Sequence, residues 1–196
     1  MLNLTRPIND GPWVYNLFNK VTNNKNTKIL ITLTTVLLGS FLLIISAKIK
    51  VPLYPVPMTL QPLAVLMIAM LFGKHLATIT IGLYIFKGII GFPVFAFGGG
   101  LLYLMGPTGG FIFGFLLTAF IVGYLADLGW GKNVFLSISS MLIGMFIIYF
   151  CGICQLAFLK GFDIALLKGF YPFIVGDSYK LLLAGIITPY IWKISK

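Results

Sequence analysis

The sequence predicts an all-α integral membrane protein, a bundle of six transmembrane helices, and three observations carry that prediction. Hydrophobic residues make up 59% of the chain and charged residues 9%. Mean hydropathy is +1.03, more apolar character than one soluble core of this length can hide. The apolar runs are long and unbroken, as helices of about 20 residues must be to cross about 30 Å of hydrocarbon. They lack the short alternation of a transmembrane β-barrel.

The elements follow in order. Residues 1–28 are polar, rich in Asn and Lys, and read as a cytoplasmic extension before a transmembrane domain at 29–196. They contain no apolar h-region before a small-residue cleavage site, so no signal peptide is expected to be removed. Trp13, Tyr15, Leu17 and Phe18 interleave with polar residues, which fits a surface helix or a disordered tail. The first span runs from about Ile29 to Ala47, between Lys20, Lys25 and Lys28 on one flank and Lys48 and Lys50 on the other. Val51 to Met58 holds Pro52, Pro55 and Pro57, which cannot continue a helix, so a rigid extended loop or lid is expected.

Spans two and three, about Thr59 to Phe72 and Leu76 to Ile90, are short and joined by the tight turn Gly73-Lys74-His75, with His75 expected in solvent. Gly91 to Gly106 is apolar but broken by glycines and Pro93, so irregular backbone is expected. Such backbone survives at membrane depth only where protein buries it or water reaches it, and this stretch therefore reads as the wall of a cavity. Span four opens at Pro107, a residue suited to a first helical turn, and runs to about Leu128. Spans five and six cover about Val134 to Leu159 and Pro172 to Trp192.

Six spans leave both termini on one side. That side holds Arg6, Lys20, Lys25, Lys28, Lys74, Lys132, Lys193 and Lys196, against Lys48, Lys50, Lys160 and Lys168 on the other. The excess of positive charge places both termini in the cytoplasm of a cell membrane. The Pro-rich loop, the Gly-rich stretch and the start of span six then share the outer face, where a ligand pocket is expected.

Other function classes find less support. The net charge of +10 comes from lysines scattered between apolar runs and one Arg, so no nucleic-acid patch is expected. Cys151 and Cys154 form a C-x-x-C without the further ligands of a zinc site, and read as buried thiols; no metal or cofactor is expected. A phosphate loop fails at its last residue in both Gly73-Lys74-His75 and Gly131-Lys132-Asn133, so ATP must act through other subunits. An intramembrane aspartyl protease needs a second membrane carboxylate, and Asp127 lies at the cytoplasmic end of span four. No catalytic residues are therefore assigned. A secondary transporter with Asp177 as its titrating group remains the alternative, although no repeated halves are apparent.

The sharpest feature is a charged pair in an apolar helix, Asp177 and Lys180, because an unpaired charge at mid-membrane costs at least ~2.5 to 3.5 kcal/mol. At i and i+3 they share a face, and they form either a ligand site or a self-neutralising ion pair. Thr35, Gly39 and Ser40 make a light face on span one, fit for contact with a partner subunit or for packing inside the bundle.

Val51-Pro-x-x-Pro-Val-Pro-x-Thr-Leu-Gln61, Gly91-Phe-Pro-Val-Phe-Ala, the glycines at 98 to 100, Gly106-Pro-Thr-Gly-Gly110 with Gly114-Phe, and Pro172-Phe-x-x-Gly-Asp-x-x-Lys180 occur in that order. Together they resemble the BioY family, the biotin-capturing S components of energy-coupling factor transporters. The resemblance covers about 29–192 and implies an outward-facing biotin pocket lidded by the loop between helices one and two. It also implies a coupling transmembrane subunit, onto which helix one docks through small residues, and ABC-type ATPase subunits. The family's acidic residue and lysine match Asp177 and Lys180.

Biotin offers ureido N–H donors, a carbonyl, an apolar ring and chain, and a carboxylate. Asp177 suits a ureido N–H, and Lys180 the ureido oxygen or the carboxylate. Lys87 could attract the carboxylate or snorkel to the interface. Tyr84, Phe95, Phe97 and Tyr103 could wall the ring or serve packing. Gly99, with Gly98 and Gly100, suits close backbone approach to ligand or helix. Thr59 and Gln61, just after the lid, suit hydrogen bonds to ligand or backbone.

Overall fold

The structure is a computed structural model that describes residues 12–21 and 24–194. Arg6 and Lys196, counted above for orientation, lie outside the described residues together with the rest of 1–11. The described chain is nearly all helical. Helix α1 spans Trp13–Val21 and α2 spans Lys25–Lys48, the latter capped by Asn24, whose side chain accepts from the Asn26 amide at 3.0 Å. The buried residues of α2 form one stripe, Val36, Gly39, Ser40, Leu43, Ser46 and Ala47, at helical spacing. Its other faces are also apolar but exposed, among them Leu33, Leu37, Leu38 and Phe41, as a helix facing lipid rather than water permits.

The Pro-rich loop after α2 is closed by a two-residue antiparallel ribbon, β1 Lys50–Val51 with β2 Met58–Thr59, in the register Lys50 to Thr59 and Val51 to Met58. Helix α3, Gln61–Ile89, is broken at Gly73, whose φ of 74° and ψ of 175° lie outside the helical region. A side chain there would be strained, and its Cβ would strike Pro12 and the Asp127 carboxylate, so glycine is required twice over. The break reverses the chain. Gln61 and Tyr84 would stand about 34 Å apart on a continuous helix, yet the Gln61 amide donates to the Tyr84 hydroxyl at 2.8 Å. The arms 61–72 and 74–89 are thus the two short segments expected on either side of the turn, folded against each other. Val14 and Phe18 of α1 pack beside them on Leu76 and on Val36 of α2.

The wall segment holds one short helix, α4 Leu101–Met105, and is otherwise irregular as expected. Helices α5, Gly109–Asp127, and α6, Val134–Lys160, follow with a 3-10 turn between them, and α6 is capped by Asn133. Gly114 lets α5 lie directly on α6, since a Cβ there would come within 2.9 Å of the Ile148 Cα. Helix α5 begins at Gly109 rather than at Pro107, because Gly106 is extended and its carbonyl is held by Gln155 of α6 at 2.7 Å. Two helices close the fold: α7 Phe162–Gly169, which the sequence did not foreshadow, and α8 Ile174–Ile194, bent by 56° from it.

Four helices, α2, α3, α5 and α6, are long and apolar enough to cross a membrane, and α7 with α8 makes a fifth candidate as a bent pair. The six expected spans differ from this count because α3 joins two of them through Gly73.

Candidate functional site

Asp177 lies in the first turn of α8, where the helix dipole favours a negative charge, and is 5% exposed. Its Oδ1 meets the Lys180 Nζ at 2.6 Å, and its Oδ2 accepts from the Tyr149 hydroxyl of α6 at 2.7 Å. The same Lys180 Nζ donates to the Thr59 carbonyl in β2 at 2.8 Å. The expected pair therefore exists, and its charges compensate each other in a buried place, the condition for stability there. It also fastens the last helix to the strand that closes the Pro-rich loop. Two lone-pair sites of the Asp177 carboxylate are used and others remain free to accept from a ligand.

Asp177 faces a cleft whose empty volume is about 530 Å³ including its open mouth. The Pro-rich loop contributes Val56, Pro57 and Thr59 to the lining, and α3 contributes Gln61 and Pro62. Ala96 and Tyr103 come from the irregular wall, as expected for a segment that borders a cavity. Thr108, Phe111, Ile112 and Phe115 line it at the start of α5, with Ile148 and Tyr149 from α6 and Phe173 before α8.

Of the expected ligand contacts, Asp177, Thr59, Gln61 and Tyr103 line the cleft, and Lys180 does not. Tyr84 and Phe95 stand one layer behind it, both fully buried. The Tyr84 hydroxyl accepts from Gln61 and donates to the Val94 carbonyl at 3.3 Å. Its ring meets Phe95 edge-on at 5.6 Å, and Phe95 stacks on Tyr103 at 5.0 Å. These two aromatics thus hold the wall and Tyr103 rather than touch the cleft. Phe97 is exposed, beneath the Lys50 ammonium at 3.6 Å.

Gly99 also falls outside the lining. Its close approach is to the chain's own Phe92 carbonyl, which a Cβ would strike. Lys87 turns away from the cleft and donates to the Ser40 hydroxyl at 2.9 Å, tying α3 to α2. Gly39 and Ser40 are both buried against α3, where a Cβ on Gly39 would lie 2.8 Å from Thr80 Cγ2 and 2.9 Å from Phe72. The light face of α2 thus packs inside the bundle, with Thr35 at its half-exposed edge donating to the Ile31 carbonyl of its own helix. Cys151 and Cys154 are free thiols, but not the buried ones expected, since Cys151 is half-buried and Cys154 exposed; His75 is exposed as expected.

Side chains from α2, β1 and α6 donate to carbonyls of the wall. Lys48 donates to Pro93 and Phe95, both at 2.7 Å, and Lys50 donates to Ala96. Gln155 donates to Leu104 at 2.9 Å and to Gly106 at 2.7 Å. Sequence reasoning missed Tyr149, Phe111 and Phe173 as lining residues. For Tyr149 a signal existed, a single hydroxyl within the apolar run Ile147-Ile148-Tyr149-Phe150. The arrangement offers one anionic acceptor, a few neutral polar groups and aromatic walls, the chemistry of selective binding.

Comparison with known proteins gives the same direction. The family model described as the BioY family matches residues 19–196. A protein of Thermotoga maritima named Biotin transporter BioY is 41% identical over 150 residues, 75% of this chain and 87% of the relative. One of Pyrococcus horikoshii, named Probable biotin transporter BioY, is 40% identical over 145 residues, 74% of this chain and 85% of the relative. Among solved structures, a crystal structure at 2.1 Å of the S-component for biotin from an ECF-type ABC transporter superposes with a TM-score of 0.76 at 29% identity. That likeness covers 88% of this chain and 95% of the solved one.

Proposed function

The chain belongs to the BioY family, and from that membership we infer that it is the substrate-capture subunit of a biotin uptake transporter. It is a transporter component and not an enzyme. The observation that carries the reading at the level of chemistry is the Asp177 carboxylate, buried, oriented by Lys180 and Tyr149, and facing an aromatic-walled cleft. Such a group accepts a ureido N–H, while the apolar walls suit a thiophane ring and an alkyl chain. Gln61 and Thr59 supply further polar contacts at the same end.

In this reading each arm of α3 counts as one crossing, which gives six spans with both termini in the cytoplasm and the cleft at the outer face of the cell membrane. The Pro-rich loop acts as its lid. Separate ABC-type ATPase subunits and a coupling transmembrane subunit drive reorientation of the bundle, and the surrounding lipid bilayer is its solvent.

Equilibrium binding of radiolabelled biotin to the purified protein in detergent tests the reading. Roughly nanomolar binding is expected, and Asp177→Ala should weaken it about tenfold or more, the loss of a charge-assisted contact worth ~1.5 to 3 kcal/mol. A folded protein that ignores biotin would rule the assignment out. Unchanged affinity in Asp177→Ala would reduce the carboxylate to half of a structural ion pair.

A further inference from the structure

Helix α4 brings Tyr103 to the cleft, yet none of its 5 residues is buried, and Leu102 and Met105 are fully on the surface. Packing alone therefore does not hold it in place. A helix this short also satisfies little of its own backbone, because the last four carbonyls of any helix have no partner within it. After α4 the chain turns through Gly106 to Thr108, a second lining residue, and enters α5.

We propose that Gln155 is a positioning residue of the ligand site, whose reach sets how far Tyr103 and Thr108 stand from α6 and thereby which ligand shape the cleft favours. The proposal rests on the biotin reading above. Gln155 does not itself line the cleft. It lies on α6 about two turns beyond Ile148, on the same face of the helix as that lining residue. An amide nitrogen carries two N–H groups, and Gln155 divides them between the carbonyls on either side of Met105, Leu104 at 2.9 Å and Gly106 at 2.7 Å. The first is one of the carbonyls that α4 leaves unpaired. The second stands just ahead of α5 and accepts from the Gly109 amide as well, at 3.1 Å.

Two glycines at the start of α5 make room for this amide. A Cβ on Gly109 would come within 2.8 Å of the Gln155 Nε2, and one on Gly110 within 2.8 Å of the Gln155 Cβ. The side chain thus lies directly on the α5 backbone, and its length fixes the gap between α6 and the turn it holds. Tyr103 immediately precedes Leu104, and Thr108 follows Gly106 by two residues, so a shift of the turn carries both lining residues with it. Ile148 and Tyr149 stay with α6. Without the amide, two carbonyls in apolar surroundings lose their donor, and the turn moves to find another. A rigid bicyclic ligand then loses contact on that side, whereas a flexible analogue follows the displaced wall.

The test measures equilibrium binding of biotin and of desthiobiotin, which keeps the ureido group, the chain and the carboxylate but lacks the sulfur and with it the second ring. Wild type, Gln155→Met and Gln155→Asn are compared in detergent, each with a thermal unfolding curve. Methionine fills a similar volume without a donor, and asparagine keeps the amide on a side chain one methylene shorter. Gln155→Met should weaken biotin on the order of tenfold and Gln155→Asn less, and in both the loss for desthiobiotin should be smaller, so that the ratio of the two affinities changes. An equal loss for both ligands, or no loss for either, would overturn the proposal and leave Gln155 a tie between helices. If Gln155→Met does not fold, the ratio in Gln155→Asn decides by the same criterion. Wild-type protein that binds neither compound would instead sink the biotin reading, and the role of Gln155 with it.

Discussion

Asp177 is held by two donors of different kinds, and they do different work. Lys180 compensates its charge, and Tyr149 fixes the direction of the second oxygen across the gap between α8 and α6. Tyr149→Phe removes only the hydroxyl and keeps the ring, which packs edge-on against Phe170 at 5.1 Å. The carboxylate then turns more freely, and biotin affinity should drop about two- to tenfold, the worth of one hydrogen bond of ~0.5 to 1.5 kcal/mol. Titration of the variant beside the wild type, with a thermal unfolding curve for each, checks this; an unaltered affinity would show that ligand contacts alone orient Asp177. Asp177 and Lys180 were legible in the sequence because charge inside an apolar helix demands a partner. Tyr149 left only a faint signal, one hydroxyl in an apolar run, and aromatic residues in a 15% aromatic chain are ordinarily packing.

At the scale of elements, the wall of the cleft is shaped by what lies behind it. Gly88, near the end of α3, is the floor on which the Phe95 ring rests, and a Cβ there would enter the ring. Gly88→Ala should push Phe95 out of its place between Tyr84 and Tyr103, costing roughly 1 to 3 kcal/mol of stability by overpacking. It should also weaken biotin binding through displaced Tyr103, although Gly88 lies outside the lining. A lower unfolding temperature together with lower affinity is the expected pair of results, and a stable variant with native affinity would refute the layered arrangement. The turn at Gly73, the irregular wall and the extended Pro-rich loop were legible because glycine and proline act through backbone geometry. The division of labour among the aromatics was not, since periodicity does not say which of two buried rings is the outer one. The inward packing of Gly39 and Ser40 was open for the same reason: a light helix face fits another helix of this chain as well as one of a partner.

For the whole molecule, capture and energy are separate. The chain has no phosphate-binding loop, so reconstituted alone into liposomes it should bind biotin without accumulating it against a gradient. Accumulation should appear only with the coupling and ATPase subunits and internal ATP, and should survive collapse of the proton gradient. Uptake by the isolated chain that follows a proton or sodium gradient would revive the secondary-transporter alternative.

The bond from Lys180 to the Thr59 carbonyl joins positions 121 residues apart in sequence, and this bears on how the protein is made. The first spans can enter the bilayer as they emerge, because their apolar faces suffice for insertion. The cleft as described is complete only when α8 has been synthesised and has closed against the ribbon. Until then the wall and the lid stand without the carboxylate and its lysine. In the proposed reading ligand binding reports completion of the chain, and biotin present during biogenesis should stabilise only finished molecules.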